Sequence, residues 1–303
     1  MELRQIRYFQ CVAKELSFTQ AAKQLHIAQP PLSRQIKLLE EELGVDVFER
    51  IGRGIRLTEA GKYFLDHTQK MTQQLEETIK ATRRIGKKDR MWFGLGFVPS
   101  TLYGYMPSFI RELRQLDPMV EIGLSEMTTL QQFDALKMGR IDIGLGRIKL
   151  SDPEIARLVL LDEPLAVAVP KQHPLAGRKN VDIHDILPEP LILYPAFPRP
   201  SYADHILDLF RQHGYTPNVV QEANELQTAI GLVAAGIGIV IVPDSVKRLL
   251  REDVVYIDLK AQGFSSPVMM SWRKNDQSDF LKKVVGLAKN MALAYDSLSG
   301  LKE

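Results

Sequence analysis

Cysteine is almost absent from this sequence, which contains a single one, Cys11, among 303 residues. One thiol cannot build an internal disulfide framework, so we expect the chain to work in a reducing compartment, the cytoplasm. Cys11 falls within the apolar pattern of a predicted helix, which favours a packing role over nucleophilic chemistry.

Long apolar runs are also missing. None approaches the roughly 20 residues that a helix needs to cross a bilayer, and residues 1–5 lack the basic stretch and the apolar run of a signal peptide. We therefore expect no membrane partner and no export. A hydrophobic fraction of 45% and a charged fraction of 25% are those of a globular protein, and the length suits two or three compact units.

Signals of catalysis and of cofactor binding are missing as well. The sequence has no Gly-Lys-Ser or Gly-Lys-Thr phosphate loop, and Gly236-Ile237-Gly238 follows a predicted helix and precedes a predicted strand, the reverse of the dinucleotide-binding order. The six histidines show no metal-ligand spacing. We expect no enzyme activity, no catalytic residue, no metal and no cofactor.

Charge is distributed unevenly along the chain. Residues 1–90 contain 17 Lys and Arg against 12 Asp and Glu, whereas the remainder has a small acidic excess. A basic N-terminal segment suits contact with a polyphosphate. A solvated helical surface often carries the same excess, and this alternative stays open.

The first 60 residues have the pattern of short helices separated by tight turns. Apolar residues from Leu3 to Ala13 recur at helical spacing. Ser17 is placed to cap a second helix at residues 18–25. After a break at residues 26–28, a third helix is predicted from Gln29, with prolines in its first turn, to Gly44, a favourable C-cap.

Two extended pieces and a long helix follow. Residues 45–50 and 55–57 flank a glycine-rich turn with Arg53 at its tip, which predicts a basic wing. Residues 58–88 lack proline and carry a heptad seam that predicts dimerisation through this helix; the alternative is a helix packed on its own domain. The seam consists of Phe64, Thr68, Met71, Leu75, Thr78, Thr82 and Ile85.

Beyond Arg90 the pattern alternates between strands and helices, as in an α/β sheet. Strands are predicted at residues 91–98, 120–127, 141–146, 165–169, 191–194, 219–222, 237–242, 254–259 and 268–272. Helices are predicted at residues 102–115, 130–138, 202–213, 226–235, 245–251 and 277–295.

Two helices joined by a short break, followed by a wing, have a defined use on DNA. The second helix of such a pair enters the major groove with its N-terminal side chains at base edges, and a wing arginine suits the minor groove. Each residue taken alone has the alternative of an ordinary solvated surface position. The candidates for base contact are Gln29, Pro30, Pro31, Ser33, Arg34 and Lys37, with Arg53 in the minor groove and Ser17, Thr19, Arg50 and Arg56 on phosphates.

The segment at residues 18–44, followed by Phe48-Glu49-Arg50 and by residues 57–61, resembles the LysR-type transcriptional regulators. Residues 139–147 and 231–243 are typical of the sensing domain of that family. Together with Leu193-Tyr194-Pro195 they most resemble the branch that controls degradation of aromatic compounds and responds to muconate or benzoate.

The resemblance implies an α+β multidomain fold: a winged helix-turn-helix at residues 1–58, a linker helix at 59–90 and an effector-binding domain at 91–303. This last domain would have two lobes like those of type 2 periplasmic solute-binding proteins, at residues 91–162 with 267–303 and at 163–266. The chain would cross between lobes near residues 161–164 and 265–267. The resemblance also implies a homodimer through the linker helix, a homotetramer, an activator role and RNA polymerase as a partner.

Hydroxyl pairs at predicted strand-to-helix junctions indicate an effector site. Such pairs present hydroxyls and backbone N–H groups at helix starts, where anions bind, and a cleft arginine suits a carboxylate. Pro99 stands where the muconate-responsive branch usually has glycine. Helix capping is the alternative for the hydroxyls, and an ion pair is the alternative for the arginine. The candidates from these arguments are Ser100, Thr101, Thr128, Thr129 and Arg147. The resemblance implies effector contacts at Ser100, Thr129 and Arg147, and it adds Tyr202, which takes the place of an aromatic residue in the muconate-responsive branch.

The sequence therefore predicts a regulator that binds specific double-stranded DNA and responds to a small carboxylate, such as an aromatic acid or a dicarboxylate. Two other classes stay open at this point: a solute-binding protein, and an enzyme fused to a DNA-binding domain.

Overall fold

The computed structural model describes residues 1–52, 54–86 and 91–299. The chain divides into two compact units, Met1–Lys87 and Lys88–Glu303. In the described residues no helix is both long enough and apolar enough to cross a membrane.

The first unit begins with three helices at the predicted positions: α1 at Leu3–Glu15, α2 at Phe18–Gln24 and α3 at Gln29–Leu43. The Ser17 hydroxyl accepts a hydrogen bond from the Gln20 backbone N–H, which caps α2 as expected. Gly44 ends α3 in the left-handed region, with φ of +71°.

The predicted wing is a two-stranded antiparallel hairpin. Its strands are β1 at Phe48–Ile51 and β2 at Gly54–Leu57, and Ile51 pairs with Gly54 beside the turn. Gly52 adopts a φ of +57° that favours glycine. Arg53, predicted at the tip, lies outside the described residues.

Helix α4 spans Glu59–Gly86, and its two ends have different surroundings. Near its start, the Phe64 ring lies 5.0 Å from the Phe9 ring of α1, and Thr68 is buried. Further along the seam, Met71 is 43% exposed, Thr78 and Thr82 are exposed, and Leu75 is half-buried. The beginning of the seam therefore packs on its own domain, as in the alternative to dimerisation. The described residues further along the seam are mostly exposed to solvent.

The second unit contains the other strands and helices. Its strands are β3 Trp92–Phe97, β4 Glu121–Glu126, β5 Ile143–Gly146, β6 Ile155–Pro170, β7 Asn180–Val181, β8 Leu191–Leu193, β9 Val219–Glu222, β10 Val240–Pro243, β11 Val254–Leu259 and β12 Ser265–Arg273. Its α-helices are α5 Tyr105–Leu116, α6 Thr129–Lys137, α7 Ile183–Ile186, α8 Tyr202–Gln212, α9 Leu226–Ala234 and α10 Asp279–Ser299.

These strands form two lobes, each with its own core. The first lobe contains parallel β4, β3 and β5 together with β12, which runs antiparallel to β5. Its core includes Phe93, Phe109 and Val284. The second lobe contains β10 and β11, both paired with the end of β6, and its core includes Val167 and Ile230.

Strand β6 is much longer than expected. A strand was predicted over residues 165–169, but β6 runs from Ile155 to Pro170 and continues from one lobe into the other. Its first part pairs with β12, and its last part pairs with β10 and β11. The two predicted crossings between lobes, near residues 161–164 and 265–267, therefore lie within the paired strands β6 and β12. The sequence pattern also missed β7 and α7, and the helix predicted at residues 245–251 is a 3-10 turn at Asp244–Arg248.

Candidate functional site

Helix α3 has one buried face and one exposed face. Leu32, Ile36 and Leu39 are buried in the core of the first unit. On the other side Gln29, Pro30, Pro31, Arg34 and Lys37 are exposed, and Ser33 is half-buried. These side chains share the exposed face of a helix whose apolar face is buried, so they form a single surface. A helix presented in this way fits the major groove of DNA.

Three of the side chains on this surface have partners within α3. The Gln29 Nε2 atom donates to the Ser33 Oγ atom at 3.4 Å, and Lys37 lies 3.8 Å from the Glu41 carboxylate. Among the described residues, no carboxylate pairs with Arg34. Its guanidinium is therefore available for the paired hydrogen bonds that distinguish guanine.

The four candidates for phosphate contact lie at the start of α2 and on the wing. Thr19, Arg50 and Arg56 are exposed, and Ser17 is half-buried because it caps α2. The Arg56 Nε atom donates to a Glu49 oxygen at 2.8 Å. This ion pair is exposed, so it contributes little and a phosphate can displace it.

In the second unit, a cavity of about 260 Å³ lies where several strands end. Strands β3, β4 and β5 are parallel neighbours, so their carboxyl ends meet at one edge of the first lobe. The loops after β8 and β9 form the other side. The lining residues are Val98, Pro99, Ser100, Glu126, Met127, Thr128, Thr129, Gln131, Arg147, Ile148, Tyr194, Pro195, Phe197, Pro198, Ser201, Tyr202, Asn224, Glu225 and Leu226.

The structure brings five of the six effector candidates to this cavity and separates the sixth. Thr101 does not line it. A 3-10 turn at Pro99–Tyr103 rotates Thr101 into the protein, where it is fully buried and its hydroxyl donates to the Val98 carbonyl at 2.8 Å. Thr101 is therefore a packing residue in this structure, because one residue along a 3-10 turn rotates the side chain by about 120° away from that of Ser100.

Arg147 lines the cavity but is held by the protein. Its Nη2 atom lies 2.6 Å from a Glu163 oxygen, its Nε atom donates to the Ser100 Oγ atom at 2.8 Å, and its Nη1 atom donates to Ser266. Arg147 is 2% exposed. The ion pair that was the alternative for this residue is thus present, and the guanidinium does not project freely at the edge of a cleft as we expected.

Glu163 connects the two lobes through this network. Its second carboxylate oxygen accepts a hydrogen bond from the Ser245 backbone N–H at 2.6 Å, on the side of the second lobe. Arg147 follows β5 in the first lobe. The buried ion pair therefore spans the junction between lobes, and both of its members are nine-tenths or more buried.

The hydroxyls at the start of α6 are already oriented. Thr128 caps the helix by accepting from the Gln131 backbone N–H at 3.3 Å, and Thr129 Oγ1 accepts from the Arg147 backbone N–H at 3.2 Å. A hydroxyl that accepts a bond still has a proton to donate. Together with Ser100, these groups offer donors to an anion at the start of a helix.

Two tyrosines on the second lobe complete the polar lining. Burial raises the pKa of both Tyr194 and Tyr202 well above the usual value, so both phenols are neutral at neutral pH. Their rings lie 5.2 Å apart, and the buried Tyr194 hydroxyl has no hydrogen-bond partner in the described part of the chain. Glu126 and Glu225 also line the cavity. Arg147 is paired with Glu163, so no unpaired cation among the described lining residues attracts an anion.

Sequence reasoning missed several of these residues. Glu163 is one of two adjacent acidic residues, with Asp162, in the predicted crossing at residues 161–164, and their contrast with the apolar residues on either side was the available signal. Phe197 lies in a proline-rich loop between a predicted strand and a predicted helix, where binding residues are frequent. Tyr194 appeared only within the family resemblance.

Comparison with known proteins gives the same two-part organisation. Residues 3–62 match the family described as bacterial regulatory helix-turn-helix protein, lysR family, and residues 89–292 match the family described as LysR substrate binding domain. The HTH-type transcriptional regulator CatR of Pseudomonas putida is 51% identical over 292 residues, covering 96% of this chain and all of CatR.

Two solved structures are also similar. The crystal structure of full-length CbnR complexed with its target DNA has a TM-score of 0.76 and 29% identity, covering 96% of this chain and all of that one. The BenM effector binding domain with its effector benzoate has a TM-score of 0.63 and 36% identity, covering 68% of this chain and 94% of that one. BenM of Acinetobacter baylyi is 41% identical over 283 residues, covering 93% of each chain.

These findings confirm the expected fold class and the resemblance to regulators of aromatic catabolism. The named relatives are transcriptional regulators rather than enzymes or solute-binding proteins, and the similarity extends over nearly the whole chain. The chain therefore belongs to the LysR family of bacterial helix-turn-helix transcriptional regulators.

Proposed function

We propose that this regulator binds specific promoter DNA through the exposed face of α3 and the wing, and that a small carboxylate in the cavity of the second unit sets its activity. The exposed face of α3 carries the DNA-binding part of the proposal. Gln29, Ser33 and Arg34 offer side chains that discriminate bases, and each good bidentate pair contributes roughly 1–3 kcal/mol of discrimination. CbnR, a relative of similar fold, has been crystallised with its target DNA.

The effector is an aromatic acid or an unsaturated dicarboxylate of aromatic catabolism. Ser100, Thr128 and Thr129 surround the cavity with hydroxyls at the start of α6, which suits a carboxylate. Arg147 acts through Ser100, which it holds in place, and Tyr202 supplies an aromatic wall. The BenM effector binding domain, which has benzoate as its effector, supports an acid of this size.

Two chains associate through α4, whose exposed seam residues Met71 and Thr78 lie seven residues apart and therefore on one face of the helix. Pairing places two recognition helices on an interrupted palindrome, and pairing of effector domains makes a homotetramer. We assign residues 1–58 to DNA binding, 59–90 to the linker and 91–303 to effector binding. The protein acts in the cytoplasm as an activator that contacts RNA polymerase.

An Arg34→Ala variant tests the DNA-binding part. The full-length wild-type chain first selects duplexes from a random pool, and both proteins are then titrated against the selected and a scrambled duplex. We expect the variant to lose roughly 5- to 150-fold in the ratio of the two affinities and to keep salt-dependent binding to both. The control Lys283→Ala removes one exposed positive charge from α10 and should keep the wild-type ratio. An unchanged ratio in the Arg34 variant contradicts the assignment.

A thermal-shift series tests the effector part. Benzoate and cis,cis-muconate should raise the Tm of the wild-type chain, because a ligand that binds only the native state stabilises it. Benzylamine has the same ring and the opposite charge, so it should have no effect. If neither acid shifts the Tm or if the amine shifts it equally, the proposed effector class is wrong.

A further inference from the structure

Phe197 has an unusual position for a large aromatic residue. It lines the cavity, yet 72% of its surface is exposed. An exposed phenylalanine presents apolar area to water, and a ligand that covers this area is stabilised by the burial. Single exposed apolar residues are common on protein surfaces, so the case for a binding role of Phe197 depends on the loop that carries it.

The loop that carries Phe197 is fixed on both sides of it. Before Phe197, the Ala196 backbone N–H donates to the Ala223 carbonyl at 2.8 Å. After it, the Arg199 guanidinium donates to the Ala196 carbonyl, to Asp204 at the start of α8 and to Glu222 at the end of β9, at 2.8, 2.6 and 2.6 Å.

A further hydrogen bond joins two residues on either side of Phe197. The Ser201 hydroxyl donates to the Pro195 carbonyl at 2.7 Å. Residues on both sides of Phe197 are thus anchored to the second lobe, and the exposed ring belongs to a braced loop at the edge of the cavity. A loop whose backbone is already fixed loses less freedom when a ligand covers one of its side chains, and this favours binding.

The two sides of the cavity differ in chemistry. The first lobe contributes the hydroxyls of Ser100 and Thr129, whereas the braced loop of the second lobe contributes Phe197. A carboxylate anchored on the first lobe would project its remaining atoms toward the second. Flat unsaturated groups pack well against an aromatic face, and such contacts add to the stabilisation from burial alone.

We propose that Phe197 is a specificity-determining residue: it covers the body of the bound effector and selects flat, unsaturated carboxylates over saturated ones of similar size. This proposal rests on the effector site proposed above. Because the hydroxyls and Phe197 come from different lobes, an effector held by both links the lobes across the cavity.

The test compares benzoate with cyclohexanecarboxylate, which have the same charge and similar size but differ in flatness. Calorimetric titration of the full-length wild-type chain should show tighter binding of benzoate. Phe197→Ala should weaken benzoate about tenfold, which corresponds to about 1.4 kcal/mol. Phe197→Leu keeps much of the apolar area without the ring, so it should lose the preference for benzoate. The control Leu250→Ala shortens an 85% exposed side chain that does not line the cavity, and it should bind like the wild type.

The outcomes separate this inference from the proposed function. If the wild type binds both acids and Phe197→Ala binds benzoate equally tightly, the role of Phe197 is overturned while the effector site stands. If Phe197→Leu keeps the full preference for benzoate, the selection for flatness is overturned. If the wild type binds neither these acids nor cis,cis-muconate, the effector class itself is wrong, and the Phe197 inference falls with it.

Discussion

Removal of the charge on Glu163 leaves a buried charge in the second unit without its partner. Glu163→Gln keeps the size of the side chain and one acceptor oxygen, but it leaves the 2% exposed Arg147 guanidinium without a counter-ion. Loss of one partner of a buried ion pair costs about 3–5 kcal/mol. Glu163 accepts from Arg147 through one oxygen and from the Ser245 N–H through the other, so the amide NH2 of glutamine faces a donor and we expect a cost within the whole of this range. In a domain of 150–250 residues each kcal/mol lowers the Tm by about 2–4 °C, so the expected fall is roughly 6–20 °C.

The same variant should respond more strongly to an acid. Arg147 lines the cavity, and without Glu163 its charge can pair with a ligand carboxylate. Saturating benzoate should therefore raise the Tm of Glu163→Gln by more degrees than it raises the Tm of the wild type. Thermal unfolding of the full-length chain with and without benzoate measures both effects. The control Glu252→Gln removes an exposed carboxylate and should stay within about 0.5 kcal/mol of the wild type.

Either of two results would refute this reasoning. A Tm within 2 °C of the wild type would show that the ion pair is not buried in solution. A large fall in Tm with no greater response to benzoate would show that the guanidinium does not reach the ligand.

Three further predictions concern other parts of the chain. Met71→Lys with Thr78→Lys should weaken the dimer by introducing like charges on the exposed part of the α4 seam. Analytical ultracentrifugation showing wild-type association would contradict the role of this face. Gly44→Ala should destabilise the first unit by about 1 kcal/mol, because its φ of +71° disfavours other L-residues; urea unfolding measures this, and an unchanged midpoint would be inconsistent with it. Gly146→Ala would place a methyl group 2.7 Å from the Thr129 side chain and so displace the start of α6. The affinity for benzoate should then fall at least severalfold while DNA binding persists. An unchanged affinity for benzoate would remove Thr129 from the site.

The helices of the first unit were predictable because their signals are local. The cap at Ser17, the prolines after Gln29 and the C-cap at Gly44 each act within one turn, so α2 and α3 follow within a residue or two. The expected seam on α4 depended on its neighbours instead. Packing of Phe64 against Phe9, far away in sequence, commits the start of the helix to its own domain, and periodicity alone does not reveal this.

The position of the candidate cavity was predictable from the sequence, but the contacts among its lining residues were not. The ends of parallel strands meet at one edge, so Ser100, Thr129 and Arg147 come together as expected. The partner of Arg147 was not predictable, because Glu163 is brought to it by the continuation of β6 from one lobe into the other. Thr101 does not line the cavity, because the 3-10 turn at Pro99–Tyr103 directs its side chain away from that of Ser100. The sequence did not show where this turn begins, so the direction of the Thr101 side chain was not predictable.

Selection of DNA by the full-length wild-type chain tests the central claim most directly. A random pool of duplexes, bound and amplified over several rounds and then sequenced, should converge on an interrupted palindrome whose half-sites are contacted by two α3 helices. A pool that shows no enrichment over unselected duplexes at moderate salt would contradict sequence-specific binding through α3.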